Sequence, residues 1–76
     1  MPKLPAVTGK RLLKILGKLG YVLDHVHGSH YIMRDAAGRK TTIPVHGSSE
    51  IPKGTLSGIL SDLDITREEF MKLLQK

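Results

Sequence analysis

Between residues 21 and 34, two β-prone segments are joined by only two residues. Tyr21-Val22-Leu23-Asp24-His25-Val26-His27 and His30-Tyr31-Ile32-Met33-Arg34 are rich in β-branched and aromatic side chains, and Gly28-Ser29 is all that links them. So short a link turns the chain straight back on itself, because Gly28 lacks a Cβ and tolerates the positive φ of a tight turn. Asp35-Ala36-Ala37-Gly38 is a second hairpin loop, with Gly38 placed for positive φ, and Arg39-Lys40-Thr41-Thr42-Ile43-Pro44-Val45 is a third strand. Pro44 cannot donate to a ladder, so it marks an edge or a strand end. The centre of the chain is therefore expected to be a three-stranded antiparallel meander.

Helical signals flank this sheet on both sides. Pro2 and Pro5 keep the first residues extended. Thr8 is placed as an N-cap for a helix over Gly9–Leu19. Leu12, Leu16 and Leu19, with Leu13 and Ile15, make its apolar stripe, and Gly20 ends it as a C′ residue. Residues 46–52 read as a loop. Lys53-Gly54-Thr55 opens a second helix, with capping chemistry at its start and Leu56, Ile59, Leu60 and Leu63 at core spacing. Thr66-Arg67-Glu68-Glu69 has the capping-box pattern, which starts a third helix with Phe70, Leu73 and Leu74 inward. The predicted architecture is α+β, in the order α-β-β-β-α-α, with the helices on one face of the sheet.

Period two divides the second strand. Tyr31 and Met33 share one face, and His30, Ile32 and Arg34 share the other. If the helices cover Tyr31 and Met33, His30 lies on the open face. The reverse assignment would bury His30 and Arg34, and burying Arg34 counts against it. A histidine held on a strand in a basic protein is suited to proton transfer on a phosphodiester. The plainer reading is a polar residue on a solvated face.

Seventy-six residues suffice for one domain, spanning 1–76, with a small core. With no cysteine there are no disulfides or thiolate metal ligands, which fits a reducing compartment. No apolar run approaches the length of a membrane span and no signal-peptide pattern appears at the start, so a soluble cytoplasmic protein is expected. The net charge of +5 is uneven. Residues 1–40 hold eight Lys and Arg against two acids, whereas residues 41–76 hold four against five. A basic half suits a polyanionic partner through counterion release. With three aromatic residues, a stacking platform for single-stranded bases is poorly supplied.

The element order, the basic first half, and the stretches Leu19-Gly20-Tyr21, Gly28-Ser29-His30, Ile43-Pro44-Val45-His46, Gly54-Thr55-Leu56 and Ile59-Leu60 fit together. In that order and spacing, from about Val7 to Leu74, the chain resembles the HicA (YcfA-like) family, the toxin half of HicA–HicB toxin–antitoxin pairs. The resemblance implies a double-stranded-RNA-binding-like fold and an mRNA interferase neutralised by a HicB-type antitoxin in a hetero-oligomeric complex. It also implies that the catalytic residue is the histidine of the Gly-Ser-His motif, here His30. The resemblance assigns no role to His25 or His27.

RNA carries its own nucleophile in the 2′-hydroxyl, so a ribonuclease needs a base, an acid and positive charge, but no cofactor. His30 is the expected base. Arg34, on the same strand face, and Arg39 and Lys40 in the neighbouring strand are candidates to stabilise phosphoryl charge. The leaving 5′ oxygen would take its proton from His46 or from water. Further RNA-backbone contacts are expected from Ser29, from Lys53 at a helix start, and from the four-residue ladder Lys10, Lys14 and Lys18. Such a ladder is more often a solvated helix face. A metal site built from His25, His27, His30 and His46 would need three convergent ligands, which the spacing does not show, so none is expected. The competing readings are a non-catalytic RNA-binding module and an interaction domain for an acidic protein.

Overall fold

Thr8 begins the first helix as a capping residue should. Its backbone is extended (φ −83°, ψ 160°), and its side chain accepts the Arg11 N–H at 3.2 Å. In the computed structural model, which describes residues 4–75, this helix is α1 (Gly9–Lys18); the expectation for Pro2 lies outside that range. The chain leaves α1 through Gly20 at φ 97°, with the Tyr21 N–H donating to Leu16 O at 3.0 Å and the Gly20 N–H to Gly17 O at 3.2 Å. Those two bonds form a Schellman motif. Leu12, Ile15 and Leu16 are buried, as their spacing predicts. Leu19 is a correction: it is 42 % exposed, because it is the C-cap, one residue past the helix, where the chain already turns away toward the sheet.

Strands β1 (Val22–His27), β2 (His30–Arg34) and β3 (Lys40–Pro44) follow, in sheet order β1-β2-β3 with both pairings antiparallel. The β1–β2 turn has Gly28 at φ 63° and no positive φ at Ser29, the pattern of a II′ hairpin. Gly38 takes φ 88° in the second loop, as expected. Met33, Thr41 and Ile43 are buried and Tyr31 is half-buried, so the Tyr31/Met33 face is the inner one. His30 and Arg34 lie exposed on the other face, with Ile32 half-buried between them.

Helices α2 (Lys53–Asp62) and α3 (Arg67–Leu74) complete the order α-β-β-β-α-α. Leu56, Ile59, Leu60, Leu63 and Phe70 are buried, and Leu73 and Leu74 are half-buried. The capping box of α3 forms in both directions, with Thr66 Oγ1 accepting from Glu69 N and Glu69 Oε1 accepting from Thr66 N, each at 3.1 Å. The start of α2 corrects the sequence reading. Its N-cap is Pro52, and no side chain caps it, so Thr55 is free for another task.

The helix layer sits over β3 rather than over the whole sheet. Both α1 and α2 pack against β3, and Gly9 at the head of α1 meets the end of that strand. A Cβ on Gly9 would collide with the Pro44 carbonyl oxygen and the Val45 side chain. The helices cover β1 poorly. Leu23 and Val26 pair with the inner-face residues Met33 and Tyr31, yet they remain 50 % and 47 % exposed. Val7 and Ile51 join the core where the Ile51 N–H donates to Val7 O at 2.8 Å, which pins the loop before α2 to the first residues of the domain.

Candidate active site

His30 is fixed by its backbone before its side chain is considered. It is the first residue of β2, it pairs with Pro44 at the end of β3 and with His27 across the hairpin, and its side chain is exposed. The Val45 N–H donates to Ser29 O at 2.8 Å, so the residue before His30 is bonded to the residue before His46. His46 is anchored on its other side as well, its carbonyl accepting the Ser49 N–H at 3.0 Å in a turn with Gly47 at φ 58°. Two histidines 16 positions apart in sequence thus leave one hydrogen-bonded unit.

They open into one cleft of about 450 Å³, lined by His30, Thr42, Pro44, His46, Pro52 and Thr55. Thr42 and Pro44 form one wall from β3. Pro52 and Thr55 bring in the start of α2, whose first N–H groups have no side-chain cap and no acidic neighbour in the first turn. Unpaired N–H groups there carry partial positive charge. None of the lining residues is Lys or Arg. Thr42 and Pro52 were not singled out from sequence, and Thr55 was read there as helix-start capping, because their place in the cleft depends on how α2 docks beside β3.

The basic candidates fall into separate groups. Arg34 and Lys40 pair with each other at the far end of β2 and β3. Four residues of strand set the Cα atoms of Arg34 and His30 roughly 13 Å apart. Both are engaged by Asp24, with Lys40 Nζ to Asp24 Oδ2 at 3.2 Å and Arg34 Nε to Oδ1 at 3.8 Å. A bulge between Leu23 and His25 turns Asp24 onto the open face, beside His25 at 3.4 Å. No sequence signal announces that bulge, since it exists only in the register with β2. Arg39 lies at the hairpin, its N–H bonded to Asp35 Oδ1 at 2.7 Å and its guanidinium 3.9 Å from Asp64. Lys53 borders a second depression of about 400 Å³ with Leu4, Gly54, Ser57 and Arg67. Lys10, Lys14 and Lys18 lie exposed on α1, on the side away from its buried Leu12, Ile15 and Leu16. Among the described residues, no three His, Asp or Glu side chains converge as a metal site would require.

The hydrogen bond from Lys40 is the main cause that lowers the Asp24 pKa below its ordinary 3.8, and His25 contributes in the same direction. A carboxylate depressed in the folded state stabilises the fold above its unfolded pKa, and that contribution is lost as pH falls through the lower folded value. Asp24→Asn is therefore expected to melt below the wild type at neutral pH. The gap should close on acidification below 3.8, and parallel thermal melts of the two proteins across that range would check this.

Fold and cleft together define a small α+β protein with two histidines exposed where the end of its sheet meets the start of α2. Residues 9–65 match the family model described as the HicA toxin of bacterial toxin–antitoxin systems, and the chain belongs to that family. It is accordingly the toxin of a toxin–antitoxin pair and has an antitoxin as partner. The chain has no match among curated proteins. No helix among the described residues is long and apolar enough to cross a membrane.

Proposed function

We propose that this toxin is a metal-independent endoribonuclease that cuts mRNA in the cytoplasm, with His30 as the base that takes the 2′-hydroxyl proton. The observation that carries this reading is the placement of His30: on a strand, exposed, and in a cleft between the end of β3 and the start of α2. Imidazole titrates near neutrality, and a side chain on a strand holds its geometry better than one on a loop. Attack by the 2′ oxygen on phosphorus needs no metal-bound water, because the nucleophile belongs to the substrate. The uncapped start of α2 brings partial positive charge to the same cleft, where phosphoryl charge would build. Arg34 and Lys40 serve the RNA backbone farther along the strand rather than the scissile phosphate.

A HicB-type antitoxin is the partner that fits, covering the open face and with it His30 and the half-buried Ile32. The lysine ladder on α1 favours a second reading, a non-catalytic RNA-binding module, because it offers a phosphate track outside the cleft that holds His30. Cleavage separates the two. The purified protein, incubated with cellular RNA in excess EDTA, is expected to leave 2′,3′-cyclic phosphate and 5′-hydroxyl ends. Ends bearing a 3′-hydroxyl, or activity that disappears with the chelator, would overturn the mechanism; binding without any cut would establish the module.

A further inference from the structure

The geometry points to His46 as the general acid that protonates the leaving 5′ oxygen, acting with His30 in the same cleft. This inference rests on the ribonuclease reading and completes it. Cleavage by 2′-hydroxyl attack needs a proton taken from one oxygen and a proton given to another. The O2′–P bond forms, the P–O5′ bond breaks, and the 5′ oxygen leaves unaided only with difficulty. A site that supplies both proton transfers must hold two groups that titrate near neutral pH, placed on either side of one phosphate.

The lining of the cleft narrows the choice. Its residues are His30, Thr42, Pro44, His46, Pro52 and Thr55. The two prolines have no side-chain proton to give, and threonine hydroxyls are not acids at neutral pH. Lys and Arg are absent from the lining. Among these side chains imidazole is the type suited to general-acid chemistry, and besides His30 it is His46 that brings one to the lining.

The backbone fixes the pair. Ser29 O accepts the Val45 N–H at 2.8 Å, one residue before each histidine, and His30 pairs with Pro44 in the sheet. The Ser49 N–H closes the turn after His46 at 3.0 Å. The backbone segments that carry the two imidazoles are therefore tied directly to each other. His27 is less suited, although it lies across the hairpin from His30, because it is not part of the cleft wall.

In the resulting step, His30 takes the 2′ proton as O2′ bonds to phosphorus, and His46 gives its proton to O5′ as the P–O5′ bond breaks. The products are a 2′,3′-cyclic phosphate and a 5′-hydroxyl. The pair ends with its protons exchanged and is reset through water.

A change of leaving group tests this. A cut site is first mapped in cellular RNA with the wild type, and two synthetic oligoribonucleotides spanning it are prepared, one normal and one with sulfur replacing the bridging 5′ oxygen. A thiolate leaves without a proton donor. His46→Ala is expected to slow cleavage of the normal RNA by about 10²- to 10⁴-fold, but to slow the sulfur-bridged RNA by less than about tenfold. His30→Ala should slow both by the larger factor. His46→Gln, with similar bulk and no titrating group, should repeat the His46→Ala pattern, and circular dichroism of each variant checks the fold. Equal slowing of both substrates by both His46 variants, or no slowing at all, overturns the acid assignment while leaving His30 in place. If His30→Ala cleaves both like the wild type, the ribonuclease reading of His30 falls instead. A wild type that cuts neither oligonucleotide removes both.

Discussion

Replacing His30 with alanine is expected to abolish growth arrest on induction and to slow RNA cleavage by about 10²- to 10⁴-fold, the range of a lost general base. The fold should not notice. His30 is exposed, and none of its side-chain atoms enters a hydrogen bond found among the described residues. A surface substitution of this kind shifts stability by no more than about 0.5 kcal/mol. Circular dichroism and the melting temperature should therefore match the wild type while activity disappears. Equal arrest and cleavage by the two proteins would move the chemistry off His30.

The second large effect is structural. Gly9→Ala places a methyl group where the Pro44 carbonyl oxygen and the Val45 side chain already stand. The obstacle is partly backbone, so it cannot rotate away as a flexible side chain would. Overpacking of this kind costs about 1–3 kcal/mol, and in a domain of this size each kcal/mol lowers Tm by roughly 4–8 °C. Gly17 on the same helix is the control. An added Cβ there meets nothing, so Gly17→Ala should raise stability by about 0.5–1 kcal/mol through helix propensity. Thermal melts of the two variants should move in opposite directions. Matching shifts would show that α1 does not press on the end of β3 as described. Because Val45 leads into His46, Gly9→Ala should also loosen the cleft and lose activity beyond what its unfolded fraction explains.

Much of this molecule was open to reading along the chain. Strand β2 begins and ends where the alternation and the two turns place it, at His30 and Arg34. The cap at Thr8, the C′ glycine at 20 and the capping box at Thr66 all form, because each depends on a few neighbouring residues. The inner face of β2, left open between two assignments, is decided by Met33, which is buried while Arg34 is not. What could not be read depends on partners distant in sequence. The bulge at Asp24 is a property of the register with β2. The tie from Val45 to Ser29 and the docking of α2 beside β3 assemble the cleft, and neither leaves a local signature. Leu19 failed for a related reason: helical spacing continues past the point where the helix stops. His30 and Arg34 share a face of β2, as the alternation predicts, and stand at its two ends.

The bulge at Asp24 has a second consequence, for solubility. Strand β1 is one of the two edge strands of the sheet and is poorly covered by the helices, with Val22, Leu23 and Val26 about half exposed. A straight, apolar border of this kind is a template onto which another copy could add itself, strand upon strand. At Asp24 the ladder is interrupted and the strand twists, so a newcomer cannot stay in register along the whole of β1. Lys40 and Arg34 hold the aspartate on the open face where the interruption occurs. One irregular residue thus lets a toxin keep an uncovered border while it waits for its antitoxin, without the border becoming the seed of a fibre.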